Sequence, residues 1–460
     1  MGLNPQQQEA VQQIEGPVLV LAGAGSGKTR VITERIRFML QSGIPAERIL
    51  ALTFTNKAAA EMRERLGHSA QGMSLGTFHG LGLRLVREFH ERLGLPKHLS
   101  ILDQSEQNSV LRKVSNLVRT HLGRQVDVLA SSLSHVRNEG HTAEQLMATD
   151  NDDYIALGML MRRYNEEKAT LGAVDFDDLI DLPLRLIQTH DDILKTLRER
   201  WHYGLVDEYQ DTNAMQFQFL AHLMGSRGNL CVVGDDDQSI YGWRGADQRN
   251  ILDFEKHFPN CTSIFLTANY RCKAPILDAA NTLIAKNRHR KPKTLTPARG
   301  EGQPVRLQVF SDNELESEVV VRDIARLARQ GVALNQIAIL MRRSAQAPLF
   351  EQELGRRELN YRLIGGKRTA DKKAARDLFA YLQVVASDRN EIAFRRAIST
   401  PSRGIGATTI ERMRSLSEKN RVGIARVAPE TIDNMRAPAR AALGAFQESI
   451  GAARSALERG

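Results

Sequence analysis

A glycine-rich octapeptide near the start of the chain carries one lysine and one threonine. Backbone N–H groups of such a loop can approach phosphate oxygens, Lys28 can neutralise the β- and γ-phosphates of a nucleotide, and Thr29 can hold Mg²⁺. An apolar run precedes the loop and a segment with helical periodicity follows it, so the positive end of a helix would face the phosphates. This context favours a P-loop that binds ATP over a chance glycine-rich turn. The predicted phosphate-binding residues are Ala22, Gly23, Ala24, Gly25, Ser26, Gly27, Lys28 and Thr29.

Two adjacent acids, Asp207 and Glu208, follow the apolar tripeptide Gly204-Leu205-Val206. A carboxylate at the end of a strand can reach a Mg²⁺ ion held above a P-loop, so Asp207 is the predicted metal partner together with Thr29. Glu208 can then accept a proton from the attacking water. Most adjacent acids are solvated surface charge, but the strand before this pair and the P-loop upstream favour a catalytic role.

A third polar segment, Gly234-Asp235-Asp236-Asp237-Gln238, follows the apolar run Leu230–Val233. A glutamine at the end of a strand beside a nucleotide can sense the γ-phosphate or orient water. A polar turn explains the same residues equally well. The residues alone therefore leave both interpretations of Gln238 open.

The elements that must position these side chains begin with short apolar strands that alternate with helices. This order predicts an α/β fold with a parallel sheet covered by helices. From Val86 to about Arg200 the chain is polar and helix-like, and strands return at Tyr203–Val206 and Leu230–Val233. The simplest account is a helical domain inserted into the α/β domain.

A second α/β segment is expected to begin near residue 276. The stretches Val305–Val309 and Gln336–Leu340 are predicted to be strands. The basic stretch Asn287–Lys293 contains Pro292 and is predicted to be an exposed connector. From about Asp371 onward the pattern is helical and rich in arginine and alanine.

The composition restricts the class of protein and of partner. The chain has 460 residues, 42% of them hydrophobic, and a formal net charge of +9. Such a balance is ordinary for a globular protein, and the basic excess suits a nucleic acid as well as it suits an ordinary basic enzyme. No apolar run approaches the length of a membrane span and the N-terminus carries no signal peptide, so a cytoplasmic protein without a membrane partner is expected. The cysteines form neither a metal spacing nor a disulfide framework: Cys231, Cys261 and Cys272.

Together these motifs resemble those of superfamily 1 helicases of the Rep/UvrD/PcrA group. The segments DEYQDTN, residues 207–213, and GDDDQSIY, residues 234–241, are most similar to the Rep branch. The resemblance covers essentially the whole chain, and the motifs occur in the family's order. It implies a P-loop NTPase in which ATP and Mg²⁺ bind beside a RecA-like parallel sheet.

The resemblance also assigns residues around the nucleotide. It implies that Gln7 reads adenine and that Arg30 lies beside the base. Tyr270 would stack on adenine, and Arg271 would contact the γ-phosphate and stabilise charge on the transferred phosphoryl group. With Lys28, Asp207, Glu208 and Gln238, Arg271 completes the expected catalytic set.

Two further matching segments, Leu52–Leu66 and Gly76–Arg84, imply contacts to single-stranded DNA, and Asp175–Leu179 (DFDDL) matches another family motif. Rings at strand ends or in loops can stack on bases with little sequence preference, whereas polar side chains can contact phosphate and sugar. The expected stacking residues are Phe54, Tyr241 and Trp243. The expected phosphate and sugar contacts are Thr53, Asn56, Thr77, His79 and Arg244. Core packing remains the alternative for Phe54 and Trp243, and a structural role the alternative for His79.

The resemblance divides the chain into four parts. Residues 1–85 and 195–277 would form a RecA-like ATPase domain, with the helical domain 86–194 inserted into it. Residues 278–370 would form the first part of a second RecA-like domain, and 371–460 the start of a second helical insertion. The implied activity is ATP-dependent movement in the 3′→5′ direction on single-stranded DNA and unwinding of 3′-tailed duplexes, with replication or repair proteins as possible partners.

Some features depart from the family's pattern. The last two helicase motifs are not found before residue 460, Gly365–Ala370 stands where paired phenylalanines are usual, and Ser344 replaces a residue that is more often asparagine. Two alternatives therefore accompany the helicase hypothesis. One is a truncated module that binds ATP and single-stranded DNA without efficient unwinding. The other is the motor part of a helicase–nuclease.

Overall fold

The computed structural model describes residues 2–97, 99–118, 125–225, 228–364 and 373–459. These residues belong to two units, Met1–Val305 and Arg306–Gly460, each with its own hydrophobic clusters. The strands are β1 Val18–Ala22, β2 Ile49–Thr53, β3 Ser74–Thr77, β4 Ser100–Ile101, β5 Ala173–Val174, β6 Tyr203–Val206, β7 Leu230–Gly234, β8 Thr262–Leu266, β9 Ala268–Asn269 and β10 Thr296–Pro297.

A six-stranded parallel sheet forms the centre of the first unit, with strand order β3-β2-β6-β7-β1-β8. Every residue of β1, β2 and β7 is buried, as expected for a parallel sheet covered on both faces. The register pairs Leu52 with Val206 and Leu21 with Gly234, so the carboxyl ends of these strands meet at one edge. Ligands of open α/β sheets bind at that edge. The α/β fold with a parallel sheet is confirmed.

Helices cover both faces of this sheet and also form an inserted group between β3 and β6. One hydrophobic cluster lies on each face of the sheet. The helices of the first unit are α1 Pro5–Gln12, α2 Lys28–Gln41, α3 Asn56–Leu66, α4 Phe78–Glu88, α5 Gln104–Val118, α6 Val126–Asn138, α7 Ala143–Met147, α8 Asp152–Thr170, α9 Asp178–Thr189, α10 Asp191–Arg200, α11 Ala214–Met224, α12 Arg249–Leu252, α13 Phe254–His257 and α14 Ala274–Ile284.

The inserted group consists of α5–α8 together with the short β4–β5 pair. Helices α9 and α10 do not belong to the inserted group but pack against the central sheet. Ile180 and Leu184 of α9 and Leu197 of α10 are part of the hydrophobic cluster on one of its faces. Elements packed against the sheet therefore begin before residue 195, where the sequence places the return to the ATPase domain.

The basic stretch 287–293 departs from the prediction of an exposed connector. Residues 287–289 are exposed, but the Lys293 side chain is 2% exposed and lies among carboxylates that follow β7. The charge of those carboxylates is the physical reason, since a buried acid cluster needs a cation. The segment is thus anchored to the first unit at its C-terminal end.

The second unit is helical. Its larger hydrophobic cluster is formed by residues between Ala380 and Ile450, and a smaller one by Val321, Phe350 and Leu354. Its helices are α15 Asn313–Arg329, α16 Ala347–Arg356, α17 Lys373–Ala386, α18 Glu391–Ser399, α19 Ala407–Asn420 and α20 Ala437–Arg459.

The strands predicted at Val305–Val309 and Gln336–Leu340 are not formed in the described part of the chain. Leu307 and Leu340 are each 93% exposed. A strand requires a hydrogen-bonded neighbour, so an alternating apolar pattern without a paired segment leaves extended chain only. The stretch Gly365–Ala370 lies outside the described residues.

Within the described ranges, no helix combines the length and the apolar character that a membrane-spanning helix needs.

Candidate active site and nucleic-acid interface

The glycine-rich loop connects the carboxyl end of β1 to α2, which begins at Lys28. Gly25 and Gly27 have φ of +71° and +95°, a left-handed conformation that side chains disfavour. A Cβ atom on Gly25 would also lie 2.5 Å from Arg271 Cβ. Ser26 Oγ donates to Gly23 O at 2.7 Å and closes the turn. The loop therefore has the backbone conformation and helix N-terminus that a phosphate group requires.

Lys28 and Glu208 form an ion pair across this loop, with 2.8 Å between Lys28 Nζ and Glu208 Oε2. Glu208 adopts a left-handed conformation with φ of +52°, directly after the end of β6. Burial works to raise the pKa of Glu208, but the charge of Lys28 and a hydrogen bond from Gln210 hold it below the ordinary value. Glu208 is thus a carboxylate at neutral pH, as a general base must be.

Asp207 is buried at the end of β6, where its backbone N–H donates to Leu52 O at 2.9 Å. Burial, and then the neighbouring charge of Glu208, raises the pKa of Asp207 to about 7. A buried carboxylate of this kind is stabilised by a cation, and a carboxylate and a hydroxyl, as Asp207 and Thr29 offer, are oxygen donors of the kind that Mg²⁺ prefers. The residues present therefore fit a magnesium ion.

A cavity of about 360 Å³ lies above the loop. It brings together Lys28, Thr29 and Glu208 with side chains from more distant segments. Arg65, on α3, is a lining residue that the sequence analysis missed, because its motif was assigned to DNA contact as a whole. The lining residues are Ala24, Gly25, Gly27, Lys28, Thr29, Arg30, Arg65, Glu208, Gln238, Tyr270 and Arg271.

Gln7 and Tyr270, the predicted adenine contacts, each form a hydrogen bond with Asn4. Gln7 Nε2 donates to Ser26 O at 2.8 Å, and Gln7 Oε1 accepts from the Asn4 backbone N–H at 3.1 Å. Asn4 Nδ2 donates to the hydroxyl of Tyr270 at 2.9 Å. Both ends of the Gln7 amide are thus engaged by protein, and its role in reading adenine stays a prediction.

Asn269 is buried, and the sequence analysis assigned no role to it, although it precedes Tyr270 and Arg271. Its Nδ2 donates to Ala24 O, and its Oδ1 accepts from the backbone N–H groups of Arg271 and Cys272 at 2.9 and 2.7 Å. The backbone of Tyr270 adds a hydrogen bond to Gly25 O at 2.9 Å. Through these hydrogen bonds Asn269 connects the phosphate loop to the segment that contains Tyr270 and Arg271.

The predicted stacking residues meet at the same edge of the sheet. Phe54 follows β2, and its ring stacks on Tyr241 with 5.2 Å between centroids. Trp243 lies 6.4 Å from Tyr241 and is 73% exposed, which excludes the core-packing alternative for it. The guanidinium of Arg244 lies 4.6 Å from the Trp243 ring centroid. These four side chains form a surface of rings and one cation, called here the aromatic row.

Phe176 adds a ring that the sequence analysis did not assign to DNA. It belongs to the DFDDL motif, is 60% exposed, and lies 5.9 Å from His79 between ring centroids. Burial lowers the pKa of His79, so its imidazole is neutral at pH 7. A neutral ring beside an exposed phenylalanine favours stacking over an ionic phosphate contact.

The remaining predicted DNA contacts differ in accessibility. Asn56 is exposed at the start of α3. Thr53 and Thr77 are buried at the ends of β2 and β3, and the hydroxyl of each has a local partner. The Thr53 hydroxyl donates to Thr55 O at 3.0 Å, and the Thr77 hydroxyl caps α4 by accepting from Gly80 N at 3.1 Å. Direct contacts from these two hydroxyls to DNA stay predictions.

Comparisons with known proteins agree with this geometry. Residues 3–259 match the model of the UvrD/REP helicase N-terminal domain, and residues 264–432 match that of the UvrD-like helicase C-terminal domain. Two similar proteins are the ATP-dependent DNA helicases PcrA of Staphylococcus epidermidis and Staphylococcus aureus. Each is 37% identical to this chain over an alignment that covers 92% of it. The chain spans 59% of the length of these relatives. The chain belongs to the UvrD/Rep helicase family.

Proposed function

We propose that this protein hydrolyses ATP to move along single-stranded DNA in the 3′→5′ direction and to unwind duplex DNA. One observation carries the proposal. The loop after β7 holds Gln238 in the wall of the nucleotide cavity and, within the next few residues, Tyr241, Trp243 and Arg244 in the aromatic row. A change at the γ-phosphate can therefore reach the base-stacking surface through a short covalent link. The direction of movement rests on the family resemblance.

The proposed chemistry uses side chains of this cavity. Glu208 takes a proton from the attacking water, Gln238 orients that water, and Lys28 and Arg271 face the charge that develops on the transferred phosphoryl group. An ion held by Thr29 and Asp207 supplies charge neutralisation when it is bound. The cavity brings Arg271 and Lys28 to the same space, which supports their shared role.

The aromatic row and the His79–Phe176 pair form the proposed DNA-binding surface. Bases stack on exposed rings without regard to sequence, which suits a protein that must pass every base in turn. Arg244 supplies positive charge to the phosphate backbone beside the rings. The net charge of +9 favours association with a polyanion.

ATP hydrolysis measured with and without oligo-dT tests this function. We expect strong stimulation by the oligonucleotide, no turnover by Lys28→Ala, and no turnover but retained DNA binding by Glu208→Gln. ATP and DNA binding without turnover by the unsubstituted protein would favour the binding-module alternative instead. Stimulation by oligo-U and not by oligo-dT would contradict the DNA assignment.

A further inference from the structure

Three consecutive carboxylates follow β7, and one ammonium group lies among them. Lys293 Nζ lies 2.9 Å from Asp235 Oδ1, 2.6 Å from Asp236 Oδ1 and 2.7 Å from Asp237 Oδ2. This set is called here the Lys293 clamp. Because the lysine and Asp236 are almost completely buried, loss of the cation would leave negative charge uncompensated in the interior.

The ionisation of Lys293 and that of the three aspartates in the clamp are coupled. The three acids each place a carboxylate oxygen within 4.8 Å of the other two, so they would repel one another without a cation. Burial works to lower the pKa of Lys293, but the surrounding carboxylates raise it above the ordinary value. Burial likewise works to raise the pKa of Asp237, and hydrogen bonds from Arg290 and Lys293 hold it below the ordinary value. Lys293 therefore stays charged at neutral pH.

The chain on both sides of Lys293 is fixed as well. Arg290 donates from Nε and Nη2 to the Asp237 carboxylate at 2.8 and 2.7 Å, and from Nη2 to Lys293 O at 3.0 Å. Two residues beyond the lysine, the backbone N–H and C=O of Leu295 exchange hydrogen bonds with the side-chain amide of Asn281 at 3.2 and 3.0 Å. The ammonium group is thus held at a defined position and is not a mobile surface charge.

Asp235 connects the clamp to the nucleotide cavity. One of its carboxylate oxygens, Oδ1, contacts Lys293, and the other, Oδ2, accepts from Gln238 Nε2 at 2.5 Å. The Gln238 backbone N–H also donates to Asp235 O at 2.9 Å. With Nε2 directed to the carboxylate, Oε1 is the end of the amide that remains for a donor in the cavity that Gln238 lines.

We propose that Lys293 is a positioning residue for ATP hydrolysis. By holding the Asp235 carboxylate, it sets which end of the Gln238 amide faces the nucleotide, so that Oε1 accepts a hydrogen bond from the attacking water. This inference rests on the proposed function, because it assigns Lys293 to the same hydrolytic reaction. It adds a residue that lies outside the quoted helicase motifs and is not among the residues that line the nucleotide cavity.

A double-mutant cycle of Lys293→Met and Gln238→Ala tests the inference, with steady-state ATPase in saturating oligo-dT as the measurement. Lys293→Met is expected to lower kcat about tenfold to a hundredfold, because a misplaced group near the reacting atoms has effects of this size. KM for ATP should change little, since the phosphate loop is intact. In the Gln238→Ala background, Lys293→Met should have almost no further effect on kcat, because the residue through which it acts is gone.

Matched variants separate positioning from folding. Lys291→Met removes a charge from the same segment, where Lys291 pairs with Glu255, and should leave kcat unchanged. Lys293→Arg keeps the charge and should recover most of the lost kcat. If Lys293→Met does not fold, Lys293→Gln replaces it in the cycle. Additive losses in both backgrounds would overturn the inference while the proposed function stands, whereas lack of turnover by the unsubstituted protein would overturn both.

Discussion

Lys28 Nζ donates to Glu208 Oε2 at 2.8 Å, so the cation assigned to the phosphates is paired with the carboxylate assigned to water. One ammonium group cannot serve both partners equally well. When it turns toward phosphate oxygens, it withdraws the charge that holds the pKa of Glu208 low. The pKa of Glu208 then rises toward its ordinary value, which makes the carboxylate a better proton acceptor. We therefore expect nucleotide binding to activate Glu208 as the base.

The ion pair between Lys28 and Glu208 predicts that Glu208→Gln lowers kcat without weakening ATP binding. We expect kcat for ATP hydrolysis to fall at least about a hundredfold, because the base is lost. ATP affinity should stay the same or increase, because Lys28 no longer has a carboxylate competing with the phosphates. Steady-state ATPase and equilibrium titration with a fluorescent ATP analogue measure the two quantities. Undiminished hydrolysis would contradict the role of Glu208 as base, and markedly weaker ATP binding would contradict the competition.

The aromatic row predicts a selective loss of DNA affinity. Trp243→Ala should weaken binding of oligo-dT by about 1–3 kcal/mol, the usual contribution of one base–ring stack, and should leave ATP binding unchanged. Tyr154→Ala is the matched control, because Tyr154 is also exposed but lies on α8 and does not belong to the row. Fluorescence anisotropy measures both. Equal losses of oligo-dT affinity in the two variants would contradict a specific role of the aromatic row in DNA binding.

The His79–Phe176 pair predicts that DNA affinity depends on stacking and not on an imidazolium charge. Burial lowers the pKa of His79 below its ordinary value of 6.5, so the neutral ring predominates at pH 6.5 and above. The ratio of oligo-dT affinities of the unsubstituted protein and His79→Phe should therefore be the same at pH 8.0 and pH 6.5. If the unsubstituted protein alone gains affinity at the lower pH, His79 acts as a charged phosphate contact and this prediction is wrong.

A buried ion cluster beneath Phe176 predicts how the inserted helices respond to mutation. Arg137 donates to Asp175 at 2.9 Å and to Asp178 at 2.6 Å, and Lys168 contacts the same two carboxylates at 2.8 and 2.6 Å. Arg137→Met should lower the free energy of unfolding by about 3–5 kcal/mol, because it leaves Lys168 as the one remaining cation of the described residues in contact with two buried carboxylates. Urea denaturation followed by circular dichroism measures this. Arg163→Met removes an exposed arginine of α8 and should cost far less.

The same cluster predicts a pH dependence of stability. Burial works to raise the pKa of Asp175, but Arg137 and Lys168 hold it well below the ordinary 3.8. A carboxyl group with a lowered pKa in the folded state stabilises the fold above its unfolded pKa and loses that contribution as the pH falls. Stability should therefore decline below about pH 4. Asp175→Asn should be less stable at pH 7 and show a shallower decline, and an unchanged slope would contradict this assignment.

Local patterns were sufficient for much of the fold and for the centre of the site. The P-loop, Asp207 and Glu208 each follow a buried apolar strand within a few residues, so the sequence alone predicts their position at one sheet edge. The assignment of Phe54 and Tyr241 to DNA came from the family resemblance. Phe54 directly follows β2, and Tyr241 lies in the loop after β7.

Contacts between distant segments could not be predicted in this way. Lys293 was assigned to an exposed connector because its partners, the three acids after β7, lie far away in the sequence. The contact between Phe176 and His79 depends on the packing of α9 against α4, which periodicity does not reveal. The apolar alternation around Leu307 indicates a strand, but alternation does not supply the neighbour that a strand needs.

Strand displacement on tailed duplexes tests whether ATP hydrolysis by this protein drives unwinding in the 3′→5′ direction. The same duplex is prepared with a 3′ or a 5′ oligo-dT tail, and displacement is followed with ATP and Mg²⁺ for the unsubstituted protein and for Glu208→Gln. We expect ATP-dependent displacement from the 3′-tailed duplex, much less from the 5′-tailed duplex, and none with Glu208→Gln. Equal displacement from both duplexes, preference for the 5′ tail, or no displacement from either would contradict it.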